Sequence, residues 1–330
     1  MNNIKKIIEA ANKSDRKTIY NILTFPTHER YETQLAKTGH NFYSFNVPNA
    51  KKWNDKQLKP PVNYCILPES NICSYLDYDF ILVQSRYWQF QLAQQMNQML
   101  RLPIVCLDHT LPPVGIAPQA HIDTMRNMVG DINVFISEYS RDAWNINGES
   151  VVLHHSIDSN IFKPLNIDKG DYILTVANDF IKRDYCLNYS GFCRVTDGLE
   201  KRIVGETEGL SESAKSTEEL VEEYNKCGVY FNSSTTPIPM SFLEAMSCGC
   251  AVVSVATSMI PSIIENGVNG FISNDEKELR SYIILLQKDK ELREKIGNNA
   301  RQTILEKFTE NRFIEEWNSI FNKAYEVTIS

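Results

Sequence analysis

Side chains able to hold a phosphorylated, hydroxyl-rich ligand stand at separate places in this 330-residue chain. One place is the helix start at Met240, Ser241 and Phe242, with Glu244 one turn in. The first amides of a helix lack partners within it and point outward, and the macrodipole adds roughly half a positive charge there. Those amides could hold an anion while Glu244 accepts hydrogen bonds from a neighbouring pair of sugar hydroxyls. The other reading of Glu244 is an acid favoured in a first turn by the dipole alone. A second place is Lys182 and Arg183, in the loop after an apolar run. They are phosphate ligands or plain surface charge, and the planar fork of arginine suits bidentate phosphate contacts. A third is the set of polar residues that leave the ends of N-terminal strands: His28, Glu29 and Arg30, and then Asp108, His109 and Thr110. Open α/β sheets bind ligands at the carboxyl ends of their strands. His28 to Arg30 are therefore candidates for an acceptor side and His109 for cleft chemistry. The structural alternatives are a helix start with His28 on the surface and a histidine that caps a loop.

Strands and helices in alternation must position these groups. Residues 17–25, 41–45, 79–84, 102–107 and 131–137 read as apolar strands, with helices over 29–37 and 86–100. Between 46 and 67 the chain looks irregular, with Pro48, Pro60 and Pro61. A new series begins with strands at 172–177, 201–205, 229–232 and 251–255, and helices at 217–227 and from Met240 to the stop at Gly249. Residues 166–170 read as a linker. The spacing predicts a first domain over 1–165 and a second over 166–308. Residues 1–17 suggest an amphipathic leading helix or a loosely docked extension. The last helix carries Phe313, Trp317, Ile320, Phe321 and Tyr325 on one face.

Composition narrows the classes. The chain is 42% apolar and 23% charged, and no apolar run approaches the roughly 20 residues of a membrane span. A net charge of −7 argues against a general nucleic-acid coat. Residues 1–60 nevertheless hold eleven Lys or Arg against five Asp or Glu, so an anionic acceptor could meet a basic face there, as could solvent. The eight cysteines form no CxxC pair and read as free thiols of a reducing compartment, which implies the cytoplasm. The polar N-terminus has no apolar signal core. No metal-ligand spacing is present, and no GxGxxG follows a predicted strand, which sets aside a nicotinamide dehydrogenase.

The segment PMSFLEAMSCGCAVVS (residues 239–254), followed by IPSIIENGVNGFI (260–272), resembles the donor site of nucleotide-sugar-dependent glycosyltransferases of the GT-B fold, family-4 type. The resemblance covers most of the C-terminal half and reaches the N-terminal half in patches. It implies two Rossmann-like α/β domains facing a central cleft, with a C-terminal helix (309–330) that crosses back to the first domain. In that family two glutamates with seven residues between them read the donor: the second matches Glu244 and would hold the ribose, and the first, which reads the donor sugar, falls on Thr236. An Arg and a Lys that bind the donor diphosphate fall on Asn178 and Arg183, with Lys182 adjacent. The loop carrying Glu206 would border the nucleobase. A histidine near the donor sugar matches His109, and the glycine pair of the first loop is replaced by Pro26 to Arg30.

The implied reaction moves a hexosyl or pentosyl group from a UDP- or GDP-sugar to an acceptor hydroxyl, with retention of configuration and no obligatory metal or other cofactor. A glycan or small molecule is the expected acceptor. A hydroxymethylated base in DNA, as in phage-type DNA glycosyltransferases that share the fold, is the alternative. A non-catalytic sugar-nucleotide-binding protein is a further one, prompted by Thr236 and Asn178.

Overall fold

The computed structural model describes residues 18–48, 50–55 and 58–329. The leading helix expected over 1–17 lies outside the described residues. The first domain runs β1 (Asn21–Thr24), α1 (Glu29–Ala36), β2 (Asn41–Ser44), β3 (Tyr64–Ile66), β4 (Phe80–Val83), α2 (Trp88–Leu100) and β5 (Ile104–Asp108). It continues through α3 (Gln119–Arg126), β6 (Ile132–Phe135), α4 (Glu138–Trp144) and β7 (Ser150–Val152). Its strands pair in parallel in the order β3-β2-β1-β4-β5-β6-β7. β4, β5 and β6 are buried along their whole length, as strands covered on both faces require. One expectation is corrected. The stretch 46–67 contains β3, an edge strand in which Tyr64 is buried while Cys65 and Ile66 are exposed, so it lacks the apolar run that marks its neighbours.

The second domain runs β8 (Ile173–Val176), α5 (Asp184–Leu187), α6 (Tyr189–Val195), β9 (Lys201–Val204), α7 (Thr217–Lys226), β10 (Val229–Asn232) and α8 (Met240–Ser247). β11 (Ala251–Val255), α9 (Ile260–Ile263), β12 (Phe271–Ser273), α10 (Glu276–Lys288), α11 (Lys290–Lys307) and α12 (Glu310–Ile329) complete the chain. The sheet order is β12-β11-β10-β8-β9, again parallel. α8 ends in a double turn: Gly249 adopts a φ of +72°, its N–H donates to the Met246 carbonyl at 3.0 Å, and Cys250 N–H donates to the Ala245 carbonyl at 3.0 Å. Glycine meets that left-handed conformation without a Cβ penalty.

α12 crosses back onto the first domain. Trp317 Nε1 donates to the Tyr31 hydroxyl at 3.2 Å, Tyr20 donates to Asn322 at 2.7 Å, and Phe321 stacks on Phe80 at 5.3 Å. Trp317 and Phe321 are fully buried there, which ties both domains into one apolar core. Strand order reverses between β1 and β4 in the first sheet and between β8 and β10 in the second. Such reversals open a crevice at the carboxyl ends of the flanking strands. Ligand-binding loops are therefore expected after β1, β4, β8 and β10.

Candidate functional site

On the first domain, His28 precedes α1 and lies open at the crevice. Its ring stands edge-on to His109 at 5.2 Å, and Tyr31 meets His109 in the same way at 4.6 Å. His155, on the segment after β7, stacks on His109 at 6.2 Å. Behind this cluster, Gln84 joins His109 to Glu32: its Nε2 donates to Glu32 Oε1 at 3.0 Å, and its Oε1 lies 3.1 Å from His109 Nε2. Asp108, immediately before His109, is buried against Arg86 at the end of β5. Glu29 is 7% exposed and committed elsewhere, accepting from Lys51 Nζ at 2.9 Å and from the Asn54 N–H at 3.2 Å.

On the second domain, α8 points its uncapped N-terminus toward the crevice, since Pro239 supplies no side-chain cap. Met240 and Ser241 stand at that start, and the Ser241 hydroxyl accepts from the Tyr230 hydroxyl at 3.0 Å. Phe242 departs from its expected role: its N–H already donates to the Pro239 carbonyl at 3.1 Å and its side chain is fully buried. Arg183 and Lys182 are exposed in the loop after β8, and the Arg183 guanidinium donates a long hydrogen bond to Cys186 Sγ, at 3.9 Å. Its charge is among the influences that lower the His28 pKa.

Several of the remaining positions are committed to holding loops. Asn178 accepts the Glu206 N–H at 2.9 Å, and Asp179 N–H donates back to the Glu206 carbonyl at 2.7 Å. The β8 and β9 exits thus approach so closely that a Cβ on Gly205 would lie 2.1 Å from the Ala177 carbonyl oxygen. Thr236 shares a 2.8 Å hydrogen bond with the Ser234 hydroxyl, a turn-forming contact in the loop after β10. Thr236 therefore brings no charge to the place where a carboxylate was the expected sugar reader.

Glu244 is 2% exposed and has partners on both oxygens. Arg30, from α1 of the other domain, forms an ion pair with Oε1, and the Tyr224 hydroxyl donates to Oε2 at 2.8 Å. The Arg30 guanidinium also lies over the Phe162 ring, 5.6 Å from its centroid. A carboxylate offers about four acceptor positions, so two protein donors leave room for a ligand hydroxyl. Arg30, expected on the acceptor side, instead fastens the two domains together through Glu244.

The electrostatics keep the crevice histidines neutral. Burial lowers His155 to about 3, helped by His28, His154 and Arg312. Burial also holds His109 well below the usual histidine range, with repulsion from His28 and His155 added. His28 is lowered by crowding and then by Lys51 and Arg183, against the opposing pull of Glu29. Conversely, burial pushes the Glu32 carboxyl up to about 7, although Thr27, Tyr64 and Gln84 favour its charged form. A raised carboxyl contributes stability below its unfolded value near 4.5 that is lost as pH rises through about 7. Glu32→Gln, compared with wild type by urea unfolding, is expected to be more stable by about 3 kcal/mol at pH 8 and to lose that advantage near pH 4.5.

Gln84, Glu32, Tyr31 and Tyr224 belong to the site although sequence patterns did not single them out. Gln84 could have been found as the first polar residue after a buried strand, the signal that marked His109. A surface cavity of about 560 Å³ lies between α9 and α11, lined by Pro261, Glu265, Asn299 and Thr303, and includes none of these residues. Among the described residues no cluster of three His, Cys, Asp or Glu side chains is arranged to hold a metal ion, and no helix is long and apolar enough to cross a membrane.

Residues 213–303, which contain α8 and its flanking strands, match the family described as glycosyl transferases group 1. An N-acetyl-alpha-D-glucosaminyl L-malate synthase of Bacillus anthracis is 30% identical over 81 residues, 24% of this chain and 21% of the relative. An uncharacterized glycosyltransferase of Methanocaldococcus jannaschii is 24% identical over 149 residues, 38% of each chain. The chain thus matches only about a fifth and two-fifths of those relatives. In overall structure it is similar to Anabaena HepE in complex with UDP-glucose, at a TM-score of 0.73 and 14% identity over 92% of this chain and 100% of that one. A sucrose-phosphate synthase from Thermosynechococcus elongatus gives 0.69 at 12% identity over 93% and 100%. Residues 213–303 are thus similar to the group 1 glycosyl transferases, and the architecture of the whole chain is the GT-B fold of these solved structures.

Proposed function

We propose that the protein transfers a glycosyl group from a nucleoside-diphosphate sugar to an acceptor hydroxyl, with retention and without an obligatory metal. The observation that carries this reading is that exposed Arg183 and Lys182 follow β8 while the uncapped start of α8, with buried Glu244 one turn in, follows the neighbouring parallel strand β10. In the reaction the bond from the anomeric carbon to the diphosphate oxygen breaks, and a bond to the acceptor oxygen forms. The acceptor proton leaves with the departing phosphate. Charge grows on that diphosphate as the bond breaks. Arg183, Lys182 and the Met240 and Ser241 amides would stabilise it there, as preorganised donors do best in a site shielded from water. Glu244 would take the ribose hydroxyls, Glu206 would border the base, and His109 would line the sugar. His28 would sit on the acceptor side, and Arg30 would hold Glu244 in place.

The HepE complex supports UDP-sugars as the first donors to try. All eight cysteines are free, which fits a reducing compartment. The test is incubation with UDP- and GDP-sugars in chelator, following diphosphate release and the mass of added acceptors. The coupling constant of the product's anomeric proton then gives its configuration. The expected outcome is release that depends on an acceptor, with the donor's configuration kept. Binding of a sugar nucleotide without diphosphate release would favour a non-catalytic binder, the reading prompted by Asn178 and Thr236.

A further inference from the structure

Gln84 directly follows β4 and is 3% exposed, between Glu32 and His109. A side-chain amide can be turned by 180° and an imidazole can carry its proton on either nitrogen, so the two distances alone allow two arrangements. Thr27 removes one of them. Its backbone N–H can only donate, and it donates to the same Glu32 Oε1 that Gln84 meets, at 3.0 Å. Oε1 already takes the Thr27 N–H while the buried Oε2 has no hydrogen-bond partner among the described residues, so a proton on Glu32 belongs on Oε2 and Oε1 accepts in both charge states. Turning the Gln84 carbonyl toward Oε1 would set two acceptors against each other, so the NH₂ must face Glu32. The Gln84 carbonyl oxygen then faces His109, and only an Nε2–H can meet it.

The supports behind Gln84 are equally closed. Its N–H donates to Gln89 Oε1 at 2.7 Å, and Gln89 Nε2 donates to Thr27 Oγ1 at 2.9 Å. Thr27, Glu32, Gln84 and Gln89 form a ring of hydrogen bonds under the β1 exit loop. On the other side of the His109 ring, among the described residues, no hydrogen bond reaches Nδ1. An imidazole kept neutral holds its lone pair on that nitrogen, which attracts a donor and repels phosphate or carboxylate oxygens.

We propose that Gln84, clamped by Glu32 and Thr27, is the positioning residue that holds His109 in its Nε2–H tautomer, so that Nδ1 accepts a hydrogen bond from a hydroxyl of the sugar or acceptor. The hydroxyl rests on the glycosyltransferase reading; the tautomer does not. The test labels the full chain with ¹⁵N-histidine and records long-range ¹H–¹⁵N correlations, with the His109 signal assigned by its loss in His109→Asn. Wild type is expected to show Nε2–H from about pH 6 to about pH 8. Gln84→Met, of similar volume but without an acceptor, is expected to average the two tautomers. It should lower kcat about tenfold while donor KM stays within about twofold, because a ring free to retautomerise is no longer aligned for the reacting state. Gln84→Glu, which restores an acceptor, should restore Nε2–H. An Nδ1–H signal in wild type, or an unmoved Nε2–H in Gln84→Met, overturns the proposal whatever the activity. Shifted tautomers in a chain that transfers no sugar would support Gln84 as the positioning residue and count against the glycosyltransferase reading instead.

Discussion

Arg183→Ala is expected to slow sugar transfer by roughly 100-fold or more, with the fold intact. The Arg183 side chain is exposed and donates a long contact to Cys186, so its loss removes charge and little else. Its burden is raised by Asn178, whose side chain ties the β8 and β9 exits together and carries no charge to a departing diphosphate. A cation that acts as charge develops changes kcat more than KM. Lys182→Ala should show a smaller loss, because a flexible ammonium offers one point of charge where the guanidinium offers two parallel donors. The measurement is single-turnover donor cleavage in the presence of acceptor, with circular dichroism as the control for folding. Full activity in Arg183→Ala would remove the leaving-group role and move attention to the α8 amides.

Asp108→Ala is expected to destabilise the first domain by about 3–5 kcal/mol, the usual cost of leaving one partner of a buried ion pair alone. Arg86 is 1% exposed and Asp108 is 2% exposed. Arg86 Nε donates to Asp108 Oδ2 at 3.0 Å and Nη2 donates to the same oxygen, while Nη1 reaches the Met128 carbonyl and Asn133. Phe135 and Trp144 lie against the guanidinium, with centroids at 5.6 and 5.5 Å. Burial still pushes Asp108 up to about 6 against the pull of Arg86, so desolvation outweighs the attraction within the pair. The paired replacement Arg86→Met with Asp108→Leu should therefore cost less than Asp108→Ala alone. Urea unfolding followed by Trp fluorescence separates the cases, since Trp144 sits beside the pair. His109 follows Asp108 in the chain, so activity should fall together with stability.

Much of the site was legible from the chain. Buried parallel strands need continuous apolar runs; 79–84, 131–137, 229–232 and 251–255 each contain such a strand, and 102–107 overlaps one that ends a residue later, at Asp108. The run of prolines before Met240 and the glycine at 249 bracketed α8, because a proline cannot sit inside a helix and a left-handed residue favours glycine. His109 stood out as polar at the end of a buried run. The edge strand β3 and the helix α3, which buries only Ile122, left no such pattern.

The sequence by itself determined where strands stop and which polar residues emerge at their ends, because burial and turn chemistry are written into neighbouring positions. Only the tertiary structure decided what those residues touch. Arg30 and Glu244 are 214 positions apart, and no local periodicity relates a helix start in one domain to a helix interior in the other. The same holds for Gln84 between Glu32 and His109, and for Asn178 turned from a phosphate position to a loop tie. Hydrogen-bond partners follow from geometry within about 3 Å, and that geometry is set by which strands pair and which helix crosses back. Glu244 was readable as an acid placed for a pair of sugar hydroxyls; its burial and its clamp by Arg30 and Tyr224 belong to the fold.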